Sequence, residues 1–153
     1  TRRLLAGVTS DTRGVFGGGY VDANSLIMDY ITIATTGNAT SFGNLTTARR
    51  SLAGVNSSTR GVFAGGYVAA NSLIMDYITI ATTGNATAFG DLDTARRSLA
   101  GVNSETRGVY GCGVTSVYLL VMDYITIATT GNATSFGDLT LARASLTGVQ
   151  NGL

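Results

Sequence analysis

The side chains able to do chemistry recur at one spacing. Asp29, Asp76 and Asp123 stand 47 residues apart. So do Arg13, Arg60 and Arg107, and a second arginine series runs Arg2, Arg49, Arg96 and Arg143 at the same step. Repeated carboxylates offer oxygen ligands to a divalent cation. Repeated arginines suit carboxylate or glycan recognition. The commoner use of both is mutual. Each Asp is expected to be buried against a repeated Arg or to cap a turn, and each Arg to meet an Asp or a backbone carbonyl. Tyr20, Asn24, Tyr67, Asn71 and Tyr118 fall in turn-rich segments and are the candidate ligand-binding residues. The run Phe16-Gly17-Gly18-Gly19-Tyr20 has the glycines of a phosphate cradle, but the chain has no Lys to complete one. Cys112 replaces the glycine found at positions 18 and 65, and nothing near it in sequence would activate a thiol.

Composition narrows the chemistry further. The 153 residues include no His, no Pro, no Trp and one Cys. Without His there is no imidazole base and no Ser-His-Asp triad. One Cys gives no internal disulfide and no Cys-rich zinc site. A net charge of +1 leaves no electrostatic footprint for nucleic acid. No apolar run approaches the ~18 residues of a membrane span. Near-identical units also present the same groups at every point, whereas an active site needs different groups converging on one. The expectation is a protein with no catalytic residues, no cofactor and no metal. A chain that opens on Thr is expected to be a fragment or trimmed at its start.

The elements that must hold these residues follow from the repeat. Residues 1–47 and 48–94 differ at nine positions, residues 95–141 form a third unit, and 142–153 repeat the opening of the chain. The second unit reads as four strands: 51–55, 61–65, 73–80 and a short one around 87–89. Val, Ile, Tyr, Phe and Thr enrichment supports β structure, and Asn, Ser and Gly clusters separate the strands. Strand three places Met75, Tyr77 and Thr79 on one face and Ile74, Asp76, Ile78 and Ile80 on the other. Apolar residues on both faces mean burial between layers. No stretch carries a helical period. The fold class is all-β.

Four strands in 40–50 residues is the pattern of a β-propeller blade. The run Val62-Phe63-Ala64-Gly65-Gly66-Tyr67, followed by Met75-Asp76-Tyr77, Phe89 and Arg96, resembles the kelch repeat over nearly the whole chain. It departs at the late aromatic, usually Trp in that family and here Phe42, Phe89 and Phe136. The phrase Tyr-Ile-Thr-Ile-Ala-Thr-Thr-Gly-Asn-Ala-Thr is also similar to repeats in marine phage and environmental-sequence proteins, which implies a viral or bacterial source and an extracellular or virion-surface setting. The kelch resemblance implies that strand one lines a central channel, where Ala6-Gly7, Ala53-Gly54 and Ala100-Gly101 supply small side chains, and that Tyr30, Phe42 and their copies pack between blades.

Propellers close with ~4–8 blades, so three blades leave unpaired edges. The expected remedy is a homodimer, two three-bladed chains making a six-bladed ring. Blades are assigned to 1–47, 48–94 and 95–141. The segment 142–153 is an extra strand one that either clasps the partner or is surplus. The segment 114–121 breaks the repetition and gains Val117, Tyr118, Leu119 and Leu120, as a contact loop or a chain–chain seam would. The functional expectation is a non-enzymatic binding or structural module. The alternative is a lectin-like, multivalent glycan binder using Tyr20, Asn24, Tyr67 and Asn71.

Overall fold

The computed structural model describes residues 1–149 and contains, among them, twelve strands and no helix. The strands are β1 (Ala6–Thr9), β2 (Arg13–Gly17), β3 (Ile27–Thr32), β4 (Thr40–Asn44), β5 (Ala53–Asn56), β6 (Arg60–Ala64), β7 (Ile74–Thr79), β8 (Thr87–Asp91), β9 (Ala100–Asn103), β10 (Arg107–Gly111), β11 (Leu119–Thr126) and β12 (Thr134–Arg143). They form three four-stranded antiparallel meanders, β1–β4, β5–β8 and β9–β12. These are the three sequence units. Each sheet carries a bulge after its central Met, between Met28 and Asp29, Met75 and Asp76, or Met122 and Asp123.

Strand one starts later than the sequence pattern suggests because the residue two positions before it is left-handed. Leu4, Ser51, Ser98 and Ser145 have φ of 58°, 56°, 56° and 59°. A left-handed residue turns the chain out of the extended run. The same kink links the units: Ser51 N–H donates to the Leu4 carbonyl, Ser98 to Ser51 and Ser145 to Ser98.

The sheets stack face to face, with β1, β5 and β9 side by side. Close approach there requires glycine. A Cβ on Gly54 would overlap the Gly7 carbonyl, and one on Gly101 would overlap the Gly54 carbonyl. The strand-one copies and residues 146–148 together line one cleft of about 190 Å³.

Two apolar layers fill the gaps between sheets. Val8, Met28, Phe42 and Leu45 of the first sheet pack on Leu52, Phe63, Ile78 and Ile80 of the second. Val55, Met75, Phe89 and Leu92 of the second pack on Leu99, Tyr110, Ile125 and Ile127 of the third. Strand β7 therefore buries Met75 toward one neighbour and Ile78 toward the other, as its two-faced apolar pattern requires.

The end of the chain departs from a full strand. β12 runs through Arg143, and residues 144–149 form no strand. The segment lies beside β9 in the position of a strand one. The remainder of that segment, 150–153, lies outside the described residues.

Candidate functional site

Three side-chain devices recur from sheet to sheet, and the outer sheets leave the second and third of them incomplete. The first is a buried ion pair. Arg49 Nη2 lies 2.8 Å from Asp76 Oδ2, and Arg96 Nη1 lies 2.8 Å from Asp123 Oδ2, each pair wholly or almost wholly buried. Arg49 also donates to the Phe63 and Ile74 carbonyls, and the Thr46 hydroxyl donates to Asp76. Burial pulls the Arg49 guanidinium below its usual pKa, with Asp76 opposing that shift. The corresponding Arg2–Asp29 pair, at 2.6 Å, is partly open to solvent. The repeated carboxylates are thus occupied by arginine. No group of three His, Cys, Asp or Glu side chains arranged to hold a metal occurs among the described residues.

The second device is a clamp. Arg13 stacks over Tyr30 at 4.6 Å and reaches the Ile80 and Ala81 carbonyls of the second sheet. Arg60 stacks over Tyr77 at 4.4 Å and reaches Ile127 and Ala128 of the third. Arg107 stacks over Tyr124 at 4.7 Å, and its guanidinium meets no carbonyl among the described residues.

The third is a ladder. Arg50 sits between Tyr20, at 4.8 Å, and Tyr67, at 4.6 Å, and donates to Asn24 Oδ1 at 2.7 Å. Arg97 stacks on Tyr67 at 5.3 Å and donates to Asn71 Oδ1 at 2.6 Å. Four of the five sequence-selected residues, Tyr20, Asn24, Tyr67 and Asn71, are therefore gathered in one cross-sheet stack. Arginine–aromatic stacking contributes on the order of 0.5–1 kcal/mol per exposed contact. Tyr118, the fifth, projects from the third sheet and is 65% exposed.

The outer faces are apolar and uncovered. Phe63 and Ile80 are 0% and 1% exposed in the second sheet, whereas their equivalents Phe16 and Ile33 are 39% and 52% exposed in the first. Phe42 and Phe89 are each 3% exposed, and Phe136 of the third sheet is 48% exposed. Phe16, Ile31 and Ile33 line a cavity of about 570 Å³ that Gly148 and Val149 also border. Sequence reasoning placed Phe136 between blades as a copy of Phe42 and left Ile31 and Ile33 without a role, because a repeat makes the end copies identical to buried ones. Only their place at an end of the stack exposes them.

Cys112 is buried with a left-handed φ of 60°, close to the 70° and 66° of Gly18 and Gly65. Burial raises its thiol pKa. No helix among the described residues is long and apolar enough to cross a membrane. No protein-family model matches this chain, and no curated protein matches it either.

Proposed function

We propose that this chain is a non-enzymatic binding or structural module whose three blades close, with those of a second copy, into a six-bladed kelch-like propeller. One observation carries the reading. The free face of the third blade is the same surface that the first two blades bury, and the free face of the first is the surface that the second and third bury. A head-to-tail contact between copies repeats an interface already made twice within the chain. Two such contacts close a ring with two-fold symmetry. In it, Arg107 finds Ile33 and Ala34 of the second copy, the repeat equivalents of the carbonyls that Arg13 and Arg60 already hold.

Sedimentation equilibrium tests this. The expected mass is twice the 15.7 kDa of the chain. Ile33→Asp changes a residue that is half-exposed in the lone chain, so it keeps the β-sheet circular dichroism and abolishes association. A monomer at all concentrations, or undiminished association of the Asp variant, overturns the reading.

A second reading, multivalent glycan binding, is favoured by two equivalent clefts of about 220 and 230 Å³. Tyr77, Thr82 and Asn85 line one, and Tyr124, Thr129 and Asn132 line the other. Calorimetric titration with a monosaccharide panel tests it: saturable binding at equivalent sites supports it, and no heat with any sugar excludes it.

A further inference from the structure

We infer that the strand-one position beside the third sheet belongs to residues 2–8 of a second copy, recognised by Tyr118 through Arg3, and that residues 143–149 occupy it only in the lone chain. This rests on the ring reading above and names its seam.

Two segments fit that position by sequence, Arg2–Val8 and Arg143–Val149. In the lone chain residues 143–149 hold it. Gly113 N–H donates to the Arg143 carbonyl as Gly19 does to Arg49 and Gly66 to Arg96, and Ser145 N–H donates to Ser98. Their side chains gain little from being there. Leu146 is 38% exposed where Leu52 and Leu99 are 6% and 4% exposed. The Arg143 guanidinium reaches the Leu141 carbonyl rather than a carboxylate. Residues 2–8 are better equipped. They carry β1 with its ladder to β2, and Arg2 with its Asp29.

The third sheet is altered where this choice is made. Asn24 and Asn71 each accept a hydrogen bond from the arginine that opens the next sheet, Arg50 or Arg97. The equivalent residue of the third sheet is Tyr118. Its bridge partner is Val114, as Tyr20 and Tyr67 are the bridge partners of Asn24 and Asn71. The aromatic ring has thus moved across the bridge, onto the residue that faces the incoming arginine. Residues 143–149 bring Ala144 to that point, which has no guanidinium, whereas a second copy brings Arg3. An arginine over an exposed tyrosine face is a favourable pair.

The test compares self-association constants of variants of this 153-residue chain by sedimentation, with circular dichroism as the check on folding. Gly148→Val evicts the resident segment, because a side chain there would overlap the Gly101 carbonyl. It is expected to tighten association by about tenfold. Tyr118→Ala and Arg3→Ala are each expected to weaken it by about threefold or more, and the double variant to be no weaker than either single one. Tyr118→Phe restores wild-type association. Weaker association of Gly148→Val means residues 143–149 are the seam strand, and additive or absent effects at Tyr118 and Arg3 break the recognition pair. Either result overturns this inference while the ring stands. Absence of association in every variant overturns the ring itself.

Discussion

Arg49 and Asp76 meet at 2.8 Å with both side chains wholly buried. The arginine enters with the segment that leaves the first sheet, and the aspartate sits in the middle strand of the second. The Arg49 backbone is bonded to Gly19 and Ser25 of the first sheet, so the ion pair pins the connecting segment to the second. Burying both charges costs several kcal/mol of desolvation, which hydrogen bonds from Arg49 to two carbonyls and from Thr46 to Asp76 help offset. Its tolerance to change should differ sharply from that of the half-exposed Arg2–Asp29 pair.

Asp76→Asn leaves a buried guanidinium without its counter-charge. The expected loss is about 3–5 kcal/mol in urea unfolding. Asp29→Asn, at the solvent-facing pair, is expected to lose less than about 1 kcal/mol. Equal losses would show that burial does not set the strength of these pairs.

Gly54→Ala should destabilise by about 1–3 kcal/mol, because the new methyl overlaps the Gly7 carbonyl and the sheets must shift apart. Gly7→Ala should leave the unfolding midpoint of the isolated chain close to wild type, since the nearest atom to a Cβ there is Phe16 Cδ1 at 3.7 Å. The two thermal melts, recorded under dissociating conditions, compare one sequence position in two settings.

Tyr110 is wholly buried and donates to the Val62 carbonyl at 2.9 Å. Burial drives its pKa well above the ordinary 10.0. The folded state thus holds the phenol proton that the unfolded chain releases. Its contribution to stability is full below pH 10 and declines as pH rises from there toward the folded value. Tyr110→Phe should lose about 1 kcal/mol at neutral pH from the missing hydrogen bond. It should lose less further stability than wild type between pH 9 and 11. Parallel pH profiles of the urea midpoint would contradict this.

Cys112 occupies a left-handed position at which a side chain costs about 1–2 kcal/mol. Cys112→Gly relieves that cost and gives up a small buried side chain, so the melting midpoint should stay level or rise. In the wild-type chain, burial and the raised pKa together should make alkylation slow until denaturant is added. Rapid labelling of the native protein would count against a closed site.

The repeat and its four strands per unit were legible because apolar, β-branched residues alternate with Asn, Ser and Gly breakers at every 47-residue step. The pairing of Asp with Arg was one of two readings the sequence left open, and with three arginines in every unit nothing local singled out the Arg2, Arg49 and Arg96 series. The ladder was only half visible. Tyr20, Asn24, Tyr67 and Asn71 were recognisable as a set, but their partner Arg50 stands 30 residues from Tyr20 in sequence. Contact across sheets is set by stacking, which a local pattern does not encode.

The sequence by itself determined the elements, because strand alternation and turn chemistry act within a few residues. The tertiary structure alone decided which copies of an identical residue are buried. Phe63 and Phe16 are the same residue in the same local frame, yet one is sealed between sheets and the other faces solvent. Burial depends on what stands on the far side of a sheet, and a repeated sequence reads the same with or without that neighbour.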